Sequence, residues 1–162
     1  MNEQKKYERI SLIPCSGADY NGELARQAAI KLSEDSPISE FSNMLCFTIF
    51  LRYNLLKEDQ MASLMKTNLL STYIVVIDGC SGACAFRILK GLDIEPNLVV
   101  NLQKLVPKEV VSPKNVKSIL THRSLNKIKE EDIKKVTNYI LKKLQEEKIL
   151  EIKELKEFLS NS

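Results

Sequence analysis

The chain has 162 residues, 44% hydrophobic and 28% charged, with a formal net charge of +3. At this length one fold buries about two thirds of the surface its unfolded chain exposes, so a single domain over residues 1–162 is expected and disulfide staples are not required. No run of about 18 apolar residues occurs, which excludes a membrane-spanning helix. The opening Met-Asn-Glu-Gln-Lys-Lys lacks an apolar signal region, so a reducing cytoplasm is the expected location and the four cysteines read as thiols or metal ligands before disulfides.

In chain order, Ile10-Ser-Leu-Ile-Pro14 reads as a first strand. Asp19, Asn21 and Gly22 then form a turn into a helix with Leu24, Ala25, Ala28, Ala29 and Leu32 on one face. Phe41 to Leu56 is a strongly apolar helical candidate, and Gln60 to Lys66 a third helix or its continuation. Thr72-Tyr-Ile-Val-Val-Ile-Asp78 is almost continuously apolar, as suits a strand covered on both faces of a parallel sheet. A helix over Ala83 to Leu89 and a strand over Leu98 to Leu102 follow.

Beyond Lys104 a turn-rich link with Pro107, Pro113 and Asn115 leads to His122. Next comes a helix opened by Glu130-Glu-Asp132, with Ile133, Val136, Ile140 and Leu144 on its face. Ile152, Leu155 and Leu159 indicate a final short helix. The whole is read as an α/β fold: a small, mostly parallel sheet with helices on both faces and two C-terminal helices packed on it. Residues 1–103 carry ten basic and twelve acidic side chains, net −2, and residues 104–162 fourteen and nine, net +5. The basic tail alternates lysine with glutamate and apolar residues and has few aromatics, so no nucleic-acid partner is expected, and no membrane partner.

The informative residues are the glycines and cysteines. Of five glycines, Gly17, Gly22, Gly79 and Gly82 lie in or beside the segments that carry Cys15, Cys80 and Cys84. Glycine permits positive φ and close approach, as a ligand-wrapping loop requires. Cys15 and the pair Cys80 and Cys84 sit in loops directly after two predicted strands, and ligands collect beyond the carboxyl ends of an open parallel sheet. Cys46 comes from the crossover and either closes the set or is a small core hydrophobe. The spacing Cys-x30-Cys-x33-Cys-x3-Cys holds one close pair of the kind zinc sites use, with two remote ligands. Helices starting after Cys15 and Cys80 would point N–H groups at the sulfurs, with Arg26 and Arg87 adding charge. An iron–sulfur cluster takes the same four thiolates and is the less favoured cofactor. A redox dithiol of Cys80 and Cys84 is the third alternative, although its spacing is not Cys-x-x-Cys. Asp78, at a strand end, reads as a cap for the following turn or helix in preference to a general base. Tyr20, beside the first cysteine loop, reads as packing against the adjacent helix in preference to lining a pocket. His122, in a polar segment, reads as solvated and not as a ligand.

Cys15-Ser-Gly with Gly22-Glu-Leu-Ala-Arg26 after it, then Cys46, then Ile77-Asp-Gly-Cys80 and Cys84-Ala, resembles the DGC-domain family, named for its Asp-Gly-Cys motif. The resemblance covers about residues 11–108, leaving about 109–162 as a C-terminal helical extension. It implies zinc held by Cys15, Cys46, Cys80 and Cys84, in a family inferred to bind zinc through four cysteines and without an assigned biochemical role. The link Ser81-Gly-Ala83 departs from the bulkier or Pro-containing one expected of many relatives. The function expected is zinc binding in a structural, sensing or metal- or sulfur-handling role. The alternative is a thiol oxidoreductase or sulfur-transfer enzyme using Cys80 and Cys84.

Overall fold

Strands that alternate large apolar side chains to both sides need cover on both sides, and β1 (Ile10–Pro14) and β3 (Tyr73–Asp78) are buried at every residue. The structure, a computed structural model, describes residues 7, 9–15, 17, 19–46, 60–107, 128–147 and 149. With β2 (Ser42–Met44) and β4 (Leu98–Asn101), these strands form an all-parallel sheet in the order β2-β1-β3-β4. β1 and β3 are neighbours as expected, registered from Ile10 opposite Tyr73 to Pro14 opposite Ile77. Among the described residues the α-helices are α1 (Tyr20–Glu34), α2 (Gln60–Leu70), α3 (Cys84–Lys90), α4 (Leu102–Leu105) and α5 (Glu130–Glu146).

On one face Ile10, Leu12, Tyr73, Val75 and Ile77 meet the α1 stripe of Leu24, Ala25, Ala28 and Leu32, which the 3.6-residue spacing had marked. The apolar side of α5 joins this cluster through Val136, Ile140, Leu141 and Leu144, each contributing about 1.5–3 kcal/mol by burial. Polar contacts tie its ends down. The Lys31 ammonium pairs with Glu130 at 3.2 Å, the Tyr20 hydroxyl donates to Asp132, and the Tyr73 hydroxyl donates to Glu147 at 2.5 Å. Tyr20 is itself the first residue of α1, and its hydroxyl reaches not the adjacent helix but the start of α5, where it also accepts from the Lys129 N–H at 3.1 Å. On the other face Ile13, Ile74 and Val76 pack with Leu69 of α2, Ala85 and Leu89 of α3, and Leu92 and Ile94.

The helix expected from Phe41 is corrected by the structure over its first residues. Phe41 ends a 3-10 turn, and residues 42–44 are β2. Residues 10–12 of β1 offered an open edge, and pairing there outweighs a local helical pattern; the Leu45 N–H extends the ladder by donating to the Leu12 carbonyl at 2.8 Å. The fourth strand stops at Asn101, because Leu102 opens α4 with the Asn101 side chain accepting from the Gln103 N–H at 3.0 Å. The remainder of the apolar stretch to Leu56, the link with Pro113, Asn115 and His122, and the final helix of Ile152, Leu155 and Leu159 lie outside the described residues.

Candidate functional site

Because all four strands run the same way, their carboxyl ends share one edge, and Cys15, Cys46 and Cys80 each follow a strand onto it. Cys15 comes directly after Pro14, and its N–H continues the β1–β3 ladder by donating to the Ile77 carbonyl at 2.8 Å. Cys46 lies two residues past β2 and is exposed, Cys80 lies two past β3 and is half-buried, and Cys84 opens α3 and is exposed. Cys15 alone is buried, 6% exposed, at the floor.

What holds the two cysteine loops together is backbone packed on backbone. A Cβ on Gly22 would lie 2.3 Å from the Gly17 carbonyl oxygen, and one on Gly79 would lie 2.7 Å from the Gly22 nitrogen and 2.8 Å from the Asn21 carbonyl carbon. Gly17, Gly22 and Gly79 thus form an interlock between the Cys15 loop, the first turn of α1 and the end of β3. None of the glycines has a positive φ, so close approach and not a left-handed conformation explains their clustering. Positive φ falls instead on Asp93, at φ 56°, and on Ala83, at φ 48° and ψ 48°, one residue before Cys84. Gly82 leaves space at the sulfurs: a Cβ there would sit 3.3 Å from Cys80 Sγ and 3.7 Å from Cys84 Sγ, so both sulfurs border the same point.

The electrostatics differ from the sequence expectation. The first-turn N–H groups of both helices go to carboxylates, which are stronger acceptors than thiols: Gly22 N–H donates to Asp19 at 2.6 Å, Ala85 N–H to Asp78 at 3.0 Å and Phe86 N–H to Asp78 at 3.2 Å. Asp78 is therefore the cap of α3, its carboxyl pushed up by burial and drawn back by those two donors. The sulfur of Cys15 receives its N–H bonds from Gly79 and Gly17 instead. Burial raises the Cys15 thiol most, these two bonds oppose it, and the negative charges of Asp78 and Cys84 raise it further. Arg26 does not bring charge to the sulfurs, because Glu23 on the preceding turn of α1 holds its guanidinium.

Two positioning residues escaped the sequence reading. Asn101 Nδ2 donates to the Cys80 carbonyl at 3.1 Å, and Gln103 Oε1 accepts from the Ser81 N–H at 3.0 Å, so the end of β4 props up the Asp-Gly-Cys loop. The one available signal was an Asn, a helix-cap residue, at the end of an apolar strand. Beside this interlock the side-chain oxygen of Asn21, 5% exposed, has no hydrogen-bond partner among the described residues.

Among the described residues, no three His, Cys, Asp or Glu side chains are gathered to hold an ion as the side chains stand. The donor chemistry nonetheless fits a thiophilic cation. Burial first, and then the neighbouring Asp78 and Cys84, disfavour a negative charge on the Cys15 sulfur, and among the described residues no lysine or arginine opposes them. Added positive charge would relieve that repulsion. Fold and site together define a small doubly wound α/β protein with a thiol-rich carboxyl edge built on interlocked glycines. The chain belongs to the DGC domain family, whose model matches residues 11–140 and so reaches through most of α5. No curated protein and no solved structure matches it. Among the described residues no helix is long and apolar enough to cross a membrane.

Proposed function

We propose that the protein binds zinc through the thiolates of Cys15, Cys46, Cys80 and Cys84, in a structural, sensing or metal- or sulfur-handling role. The observation that carries this reading is the glycine interlock. It sets Cys15 at the floor and brings the loop of Cys80 and Cys84 against it from a strand more than sixty residues further along the chain. Binding would draw the more exposed sulfurs of Cys80, Cys84 and Cys46 inward over Cys15, with Gly82 giving the loop room to close. The N–H groups of Gly17 and Gly79 then disperse part of the net negative charge that four thiolates leave on a dication. A zinc ion with four thiolates has no open position, which favours structure or sensing over hydrolysis. A reducing cytoplasm is the compartment in which such thiolates persist.

The second reading, a redox dithiol, draws on the shared border of Cys80 and Cys84 at Gly82. Metal analysis of protein purified without added metal separates the two. On the zinc reading the protein carries about one zinc per chain, Cys15→Ser and Cys84→Ser both lower metal content and thermal stability, and a chelator reproduces their effect. Iron with sulfide in its place would assign a cluster instead. Metal-free protein with a reversible Cys80–Cys84 disulfide and full stability in chelator would overturn the zinc reading in favour of the oxidoreductase.

A further inference from the structure

A strand buried on both sides of a parallel sheet is normally apolar throughout, and β1 breaks that rule at Ser11, which is 3% exposed. Its register partner on β2 is Asn43, and the Ser11 and Thr72 hydroxyls are hydrogen-bonded at 2.8 Å. These three polar side chains border a cleft of about 570 Å³ between the sheet and α2, within the size range of small-molecule sites. Leu45, Met65 and Leu69 form its apolar walls, and Arg9, Asn68 and Ser71 add to the polar lining. None of the four cysteines lines it.

The charge of the cleft is one-sided. Among the described residues Arg9 is the only ionised one that lines it, no aspartate or glutamate faces it, and the Arg9 guanidinium makes no ion pair. The side-chain amides of Asn43 and Asn68 likewise make no hydrogen bond among the described residues. An unpaired guanidinium offers a planar fork to a carboxylate or phosphate, two amides offer further donors, and the leucine and methionine walls take an apolar body. From this we infer that the cleft is a binding site for a small organic anion, separate from the thiol edge and independent of the zinc reading.

The test uses the full chain labelled with nitrogen-15 and three probes of matched size: phenyl phosphate, benzoate and neutral benzyl alcohol. Saturable shifts of amides in residues 9–11, 43–45 and 68–72 are expected with at least one of the two anions, the better one identifying the preferred head group. Benzyl alcohol should bind at least about tenfold more weakly, since it lacks the charge Arg9 recognises. Arg9→Gln, at an exposed position, should weaken the anion about tenfold while leaving the remaining amide spectrum in place, and Asn68→Leu, on the exposed side of α2, should weaken it less. The proposal fails if neither anion gives saturable shifts by about 10 mM, if the shifts fall on the cysteine loops, or if benzyl alcohol or the Arg9→Gln variant binds as well.

Discussion

Gly22→Ala is the sharpest trial of the interlock, because helix propensity and packing call for opposite signs. Gly22 lies in the first turn of α1, where exchanging Gly for Ala would by itself stabilise by up to about 1 kcal/mol. The new Cβ, however, would stand 2.3 Å from the Gly17 oxygen, 2.6 Å from its carbonyl carbon and 2.7 Å from its Cα, where ordinary contact begins at 3.4 Å. The chain must open by about 1 Å between two backbones with no side chain free to yield, which puts the cost at the top of the overpacking range, about 3 kcal/mol. Withdrawal of the Gly17 N–H from the Cys15 sulfur adds about 1 kcal/mol. Against a total stability of about 5–15 kcal/mol this is a large loss. At a urea dependence of about 2 kcal/mol per molar, the unfolding midpoint followed by circular dichroism should fall by about 1.5–2 M. Gly91→Ala is the matched control. Its Cβ would meet the Arg87 and Ile88 carbonyl oxygens at 3.5 Å on a right-handed backbone, so it should be neutral or stabilising by about 0.5–1 kcal/mol. A Gly22→Ala midpoint within about 0.3 M of the parent would refute the interlock as the element that joins the two loops.

Three further outcomes are expected. Asp78→Ala should lower stability by about 1–2 kcal/mol by stranding the Ala85 and Phe86 N–H groups, while Asp78→Asn, which keeps an acceptor and loses the buried charge, should cost clearly less in the same urea titration. Ala83→Gly should stabilise by about 1 kcal/mol by relieving the left-handed conformation; a loss of stability would show that the Ala83 methyl makes a contact worth more than the strain. For pH, the folded state holds the Tyr73 phenol above its ordinary pKa of 10.0, first through burial and then through Glu147. A raised folded pKa means that this contribution is full below pH 10 and lost as pH climbs above it, because the unfolded state ionises there first. Tyr73→Phe should therefore flatten the alkaline decline in stability measured between about pH 9.5 and 11.5, and an unchanged slope would remove Tyr73 as its source.

The sequence determined the parts whose pattern is local. Continuous apolar runs marked β1 and β3 as doubly covered strands, and the spacing of Leu24, Ala28 and Leu32 marked a core-facing α1. The acidic start and apolar stripe of residues 130–144 marked α5, and glycines massed around cysteines marked loops that the parallel strands carry to one sheet edge. Asp78 was legible as a cap because its place after a strand leaves few other roles. Only the tertiary structure decided the features that depend on a distant partner. Residues 42–44 became a strand because β1 had an open edge beside them, whatever helical pattern their own side chains carried. The glycines turned out to serve close approach and not positive φ, since what excludes a Cβ at Gly22 and Gly79 is another stretch of backbone folded onto it. The Asn101 and Gln103 props and the Ser11, Asn43 and Arg9 cleft left almost no trace in the sequence, because a hydrogen-bond donor or a lone cation acquires its role from what the fold brings opposite it. Periodicity reports which side of an element faces the core, and chain pairing, set by long-range hydrogen bonds and close contacts, determines what that side meets.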